Sequence, residues 1–225
     1  MTFDEIVNDY ILQYRKVARQ EMRDFESERS LSTTIRRAAL CQLGNGKRHP
    51  HQRRIPRRLL EQVEMRLLEI EPRLAKATDF AAIHRSVDQK VGGLKGIGAL
   101  TVYDISHRMS AYMGEAPKHV YLHAGTRIGA QVFGIEGAFF EPGILPNSFS
   151  RLTPAEIEDC LCIYKDDLKG VSSEKRLSPL RLCCCKPATA VLDVAESLSF
   201  TVNVVHDKGH YHARLQRHAK IARAC

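Results

Sequence analysis

The stretch that most constrains this chain is residues 91–104, Val-Gly-Gly-Leu-Lys-Gly-Ile-Gly-Ala-Leu-Thr-Val-Tyr-Asp. Four of its glycines fall within residues 92–98, so regular structure must break there. On either side the apolar residues recur at helical spacing, over 79–90 and again over 99–113. The segment therefore reads as two helices joined by the apolar–x–Gly–apolar–Gly turn Leu94-Lys95-Gly96-Ile97-Gly98. Glycine is the default residue where backbone must take positive φ or approach a ligand closely. The turn ends at a helix N-terminus, whose free N–H groups and dipole favour a phosphate. Successive N–H groups in such a turn can also form an anion-binding nest. The physical expectation is a backbone cradle for one phosphate.

Charge points to the same kind of partner. The formal net charge is +8, but its distribution says more. Residues 36–58 hold eight Lys or Arg and no Asp or Glu, 61–170 are close to neutral, and 171–225 are basic again. A run this lopsided points to a polyanion, most commonly nucleic acid, with solvated surface charge as the bland alternative. Its centre, 44–58, is broken by Gly and Pro and reads as a loop. It carries Lys47, Arg48, Arg53 and Arg54, with His49, His51 and Gln52 between them. Arg forks match phosphate geometry and Gln can reach base edges, so this loop is expected to contact DNA. The His49-x-His51 pair has no evident third ligand for a metal.

The remaining pattern is helical. Apolar spacing predicts one long helix over 2–28, opened by a Thr2/Glu5 capping box. Further helices are expected over 30–43, 57–70, 79–90, 99–113, 121–133 and 153–168. The Gly-, Pro- and aromatic-rich segment 134–152 contains Phe139, Phe140 and Phe149. Such residues more often pin a loop to the core than stack on a base. Gly170 closes the regular pattern. Beyond it, 199–205 alternates like one isolated strand, and the last dozen residues read as a basic helix, so 171–225 is expected to be a loose basic appendage. His206-x3-His210 and Cys183-x-Cys185 depart from the usual spacing of zinc ligands. The seven cysteines are odd in number and irregularly spaced, which predicts reduced thiols. No apolar run approaches a membrane span.

Leu94, Gly96, Ile97, Gly98 and Thr101 stand at the spacing of a known motif, and the segment resembles the helix-hairpin-helix of the DNA glycosylase superfamily. The resemblance is confined to the hairpin and its two helices. It implies an all-α, multi-helix, helix-hairpin-helix glycosylase-like domain over 1–170. It also implies that Leu94, Lys95, Gly96, Ile97, Gly98 and Thr101 grip a backbone phosphate of double-stranded DNA beside one flipped nucleotide. Arg48, Gln52, Arg53, Arg54 and Arg127 are expected to add DNA contacts. The same hairpin also occurs in repair scaffolds and polymerase accessory domains without catalysis.

The chain departs from the superfamily at its catalytic positions. The superfamily's catalytic Asp would fall in the segment 117–127, which here contains no Asp or Glu. The lysine that makes some members lyases would stand where Leu100 stands. Any activity is therefore expected to be monofunctional. A replacement set is Asp104, His123 and Tyr121. Asp104 lies between Tyr103 and Ile105, where burial would raise its pKa. It could orient His123 as general acid or base. Tyr121 could hydrogen-bond the base or its sugar. Alternatively, Asp104 and His123 are ordinary structural residues. Glu136, Glu141 and Asp159 remain open as further carboxylates.

The functional expectation is a DNA glycosylase excising a modified or damaged base, with no cofactor and no metal, in a cytoplasmic, nucleoid-associated setting. Its narrower form is a bacterial defence enzyme acting on modified bases of phage DNA. The rival is a non-catalytic hairpin module that binds DNA and recruits a partner. Oligomeric state is not legible.

Overall fold

The structure, a computed structural model, describes residues 1–176 and the paired strands at 202–207 and 210–215. It begins with a broken helix. In place of one helix over 2–28 there are α1 (Phe3–Gln13) and α2 (Arg15–Glu26), separated at Tyr14. Tyr14 caps both ends, with φ −115° and ψ −38°. The reason for the break is that the two halves serve different cores. Ile6, Val7 and Tyr10 of α1 enter one apolar cluster, while Phe25 of α2 enters another. A straight helix could not point its apolar stripe at both.

The chain continues through α3 (Leu31–Ala39), α4 (Arg57–Leu68), the single turn α5 (Glu71–Leu74), α6 (Phe80–Val87), α7 (Ala99–Tyr112), α8 (Ala124–Gln131), α9 (Pro154–Ile163) and α10 (Lys165–Arg176). Helical content dominates, as the apolar periodicity requires. The second core is built by α3, α4, α6 and α7 around Ile35, Leu60, Leu67, Ile83, Ile105 and Met109. The first core gathers α1, α8, α9 and α10 around Phe149, Ile157, Leu161 and Leu168.

Several boundaries differ from the pattern. The helix expected over 121–133 starts only at Ala124. Its first residues instead form strand β1 (Val120–Tyr121), which pairs antiparallel with β2 (Phe139–Phe140). That pairing pins the aromatic segment: Phe140 and Phe149 are buried, and only Phe139 is exposed. The helix expected over 153–168 is broken at Tyr164, whose hydroxyl donates to Asp9 Oδ2 at 2.5 Å. Gly170 does not end the pattern, since α10 runs through it to Arg176.

The chain divides into two units, Met1–Pro179 and Leu180–Cys225. In the second, the expected strand is not isolated. Strand β3 (Val202–Asp207) pairs antiparallel with β4 (His210–Leu215), from Val202↔Leu215 to Asp207↔His210. The expected terminal helix falls on β4 for its first residues and otherwise outside the described residues, as do Cys183, Cys184 and Cys185. Cys41, Cys160 and Cys162 are free thiols. Among the described residues, no helix is long and apolar enough to cross a membrane.

Helices α8 and α9 approach without side chains between them. A Cβ at Gly129 would lie 2.3 Å from the Leu161 carbonyl oxygen, and one at Gly125 would lie 2.3 Å from Cys162 Sγ. This contact holds α9, and with it Glu158 and Asp159, against the first core.

Candidate active site

The glycine turn is tight and partly exposed. The Ile97 N–H donates to the Leu94 carbonyl at 2.9 Å, and Gly96 takes φ +99°. Ile97 plugs the core beneath, while Lys95, Gly96 and Gly98 face solvent and Leu94 is half-buried. Gly98 caps α7 without a side chain, so no cap group occupies the helix's first amides. Thr101 departs from its expected role as a DNA contact: it is buried, because the third position of α7 faces the core.

The basic loop is clipped to α7. His49 N–H donates to the Cys41 carbonyl at 2.8 Å, and Arg48 Nη1 donates to the Ile55 carbonyl at 2.7 Å. Lys47, Arg53 and Arg54 are exposed. Gln52 is not available to base edges. It is buried, and its Nε2 donates to Asp104 Oδ2, so the side chain anchors the loop. Arg127 is exposed on α8 and reaches the Leu122 carbonyl at 3.3 Å.

Between α2, α7, α9 and residues 49–51 lies a cleft of about 820 Å³. That volume is in the range of small-molecule sites. Helix α7 contributes Asp104, His107 and Arg108, which share a face at i, i+3 and i+4. Helix α9 contributes Glu158, Asp159 and Cys162, and α2 contributes Glu21.

The carboxylates in the cleft are unequally neutralised. Glu21 accepts from Arg108 Nε at 2.9 Å and lies 3.6 Å from His49 Nε2. Glu158 accepts from Thr126 Oγ1 at 2.6 Å and pairs with His123. Asp159 has only a neutral donor, the Tyr10 hydroxyl at 3.2 Å. Asp104 is hydrogen-bonded by Gln52, also neutral. Asp104 keeps part of its surface on the cleft while protein encloses the rest. Burial pushes its pKa up to about 6, with Arg108 pulling the other way. Burial, then the charges of Glu158 and Asp104, hold Asp159 well above the ordinary carboxylate range. Burial also lowers His107 to about 4, so it is neutral at pH 7.

Two members of the expected catalytic set lie elsewhere. His123 caps α8 and is buried, but its partner is Glu158 rather than Asp104, and it stands behind Glu158 without lining the cleft. Position 126 brings Thr126 to the same carboxylate, so the turn at 123–126 serves to fix Glu158. Tyr121 sits on β1 in an aromatic cluster, with ring centroids 4.7 Å from His84, 5.0 Å from Phe80 and 5.7 Å from Phe139. That packing keeps it from the cleft. The site residues not anticipated are Glu21, His107, Arg108 and Glu158. A signal existed for one of them, since Glu158, beside the already considered Asp159, interrupts the apolar residues of a helix.

Among the described residues, no group of three or more His, Cys, Asp or Glu could hold a metal ion. No protein-family profile, curated protein or solved structure matches the chain.

The raised pKa of Asp104 has a consequence for stability. Between its ordinary value of 3.8 and about 6, the folded state binds more protons than the unfolded one. Stability contributed at this site is therefore lost as pH rises through that window. A shift of about two units corresponds to about 3 kcal/mol. Asp104→Asn is expected to raise the unfolding free energy at pH 7 by up to about 3 kcal/mol, with the gain shrinking toward pH 4. Urea unfolding of both proteins across this range checks it. A gain that does not vary with pH would contradict the assignment.

Proposed function

We propose that the chain is a monofunctional DNA N-glycosylase, with Asp104 and Asp159 as its reacting carboxylates. The observation that carries this reading is the pair itself. Two weakly neutralised acids from different helices face one cleft, and both have raised pKa values. Cleavage of a glycosidic bond passes through an oxocarbenium-like state, for which a pair of carboxyl groups is the usual apparatus. The charge of Asp104 is among the causes that raise Asp159, so with Asp104 ionised Asp159 stays protonated.

Asp159, held well above the ordinary carboxylate range by burial and by the charges of Glu158 and Asp104, holds the proton and delivers it to the departing base nitrogen. As the bond from C1′ to that nitrogen breaks, its electron pair goes to the base. Asp104, ionised above pH 6, stabilises the cation at C1′ and accepts a proton from the attacking water. Water oxygen bonds to C1′, leaving a free base and an abasic site. Proton exchange with solvent restores both acids. His123 and Thr126 hold Glu158, which sets the local field.

The surroundings support DNA as the substrate. Asp104 lies six residues beyond Gly98, about 9 Å along the helix axis at 1.5 Å per residue. A phosphate at the α7 N-terminus and a base in the cleft would thus be served by one rigid helix. Exposed Lys47, Arg53 and Arg54 extend the positive rim, on a loop tied to Asp104 through Gln52. A base must leave the stack to enter such a cleft. Modified bases of phage DNA remain the narrower substrate class proposed.

The test is base release from unmodified, damaged and cytosine-modified duplex DNA, followed by alkali. Alkali-dependent breaks are expected with one substrate class. Intact strands throughout, with salt-sensitive binding retained, would leave the non-catalytic module, which the exposed turn also suits. The turn itself is testable by Gly96→Ala. The added Cβ would force φ +99° on an L-residue and meet Leu59 Cδ2 at 3.0 Å. DNA affinity should fall about tenfold in salt-titrated binding, since the turn is left-handed and costs about 1–2 kcal/mol for a side chain to adopt. Unchanged affinity would remove the turn from the DNA-binding surface.

A further inference from the structure

We infer that Gln52 is a positioning residue for Asp104: its buried amide holds one carboxylate oxygen from behind and leaves the other open to the cleft. This rests on the reading of Asp104 as a reacting carboxylate and names what aims it. Asp104 lines the cleft and Gln52 does not. Gln52 is 1% exposed, and its Nε2 donates to Asp104 Oδ2. A carboxylate only accepts, so the amide must present its nitrogen. Asp104 Oδ1 accepts no hydrogen bond among the described residues, yet it is not enclosed. With Oδ2 held, Oδ1 is the oxygen that meets the attacking water.

The backbone of Gln52 is fixed on both sides. Its N–H donates to the His49 carbonyl at 3.1 Å, and its carbonyl accepts from the Ile55 N–H at 3.0 Å. The turn begins at Pro50, whose ring fixes φ. Ile55 packs on the second core, in which α7 is also rooted, so donor and acceptor are seated on the same core. Anchoring the loop is not reason enough for this side chain. The bonds from His49 N–H to the Cys41 carbonyl and from Arg48 Nη1 to the Ile55 carbonyl already close it. Gln52 Oε1, moreover, is enclosed without a partner, a cost that an apolar side chain of the same length would avoid. The bond to Asp104 is what the amide gains. A neutral donor suits this task better than Lys or Arg, because it orients the carboxylate without cancelling the charge that faces a cation at C1′. The nearby guanidinium of Arg108 has its Nε on Glu21 at 2.9 Å.

Around Asp104 stand Arg108 on its own helix, Glu158 and Asp159 on α9, His123 at the head of α8 and Cys41 beyond the end of α3. These groups remain when Gln52 is changed, so the share of the amide can be read alone. The experiment is carboxyl-carbon NMR of the intact protein labelled at aspartate, with the Asp104 signal assigned by its loss in Asp104→Asn. Wild-type Asp104 should titrate at about 6, and a side-chain amide proton of Gln52 should shift with the same midpoint. Gln52→Met keeps the length of the side chain and removes the donor. It should raise the Asp104 midpoint by about one unit. Its single-turnover base release at pH 7 should fall about tenfold, with the acid limb displaced upward and DNA affinity within about twofold of wild type. A Gln52 amide signal that stays flat while Asp104 titrates overturns the inference, and this measurement needs only the wild type should Gln52→Met not fold. An unmoved Asp104 midpoint in Gln52→Met overturns it too. Base release that persists alongside either result leaves the glycosylase reading intact. Coupled titration of Gln52 and Asp104 in a protein that releases no base does the reverse.

Discussion

Asp104→Asn should lose base release by about a thousandfold while DNA affinity stays within about twofold. The asparagine keeps the shape and can still meet Gln52, but it cannot carry the charge opposite a developing cation or take a proton from water. The substitution lies apart from the exposed turn and from Lys47, Arg53 and Arg54, so the DNA binding proposed for them should be untouched. Asp159→Asn should be of similar severity, because the amide has no acidic proton to deliver. The double variant should be little worse than either single one, as groups acting in one step are not additive. In the wild type the rate should fall as pH drops through about 6, where Asp104 gains its proton. Residual activity of Asp104→Asn should lack that limb, while Asp159→Asn, which keeps Asp104, should retain it. Single-turnover rates on the cleavable substrate measure all of this, and full activity in Asp104→Asn would end the assignment. Because the same variant is expected to be the more stable protein at pH 7, gain of stability and loss of activity should appear together, the usual signature of a site held against the fold's preference.

Gly129→Ala carries the largest expected loss of stability. The new methyl carbon would sit 2.3 Å from the Leu161 carbonyl oxygen, 2.9 Å from its carbon and 3.1 Å from its Cα. These are backbone atoms of a neighbouring helix, so no side chain can rotate away. Helices α8 and α9 must separate, at a cost of about 3 kcal/mol or more. For a chain of this size that lowers Tm by about 10 °C. Gly125→Ala should cost clearly less. Its closest neighbour is the Cys162 sulfur, the end of a side chain that can turn. Thermal unfolding of the pair checks the contrast; equal losses would place the constraint elsewhere. Separation would also shift Glu158 from His123, so base release should fall further than binding does.

The helical class and the glycine turn were legible because they depend on local terms. Four glycines in seven residues and a 3.6-residue apolar period do not need a partner to be read. Tyr14 and Tyr164 each interrupt an apolar pattern that continues through them; at Tyr14 the break is dictated by which core each half must reach, whereas at Tyr164 both halves pack into the first core. Strand β1 was hidden for a similar reason, since Val120 and Tyr121 owe their extended form to Phe139 and Phe140, nearly twenty residues away. In the site, Asp104 stood out as an acid inside an apolar helix. Its true neighbours did not, because Glu158 and Glu21 come from sequence-distant helices. Gln52 was misread for want of one fact, that the loop folds inward at that residue.

The break at Tyr14 bears on how such a cleft can diversify. Asp104 belongs to a helix rooted in one core and Asp159 to a helix rooted in the other. The gap between the acids is therefore set by how the two apolar clusters of one compact unit pack together. Volume changes far from the cleft, in either cluster, would widen or narrow it by fractions of an ångström without altering any residue that lines it. Under the proposed function, lineages descending from such a chain could change the size of the base they admit while their contact residues stayed the same. Comparing only the cleft-lining positions of two descendants would then miss the cause of their different preferences.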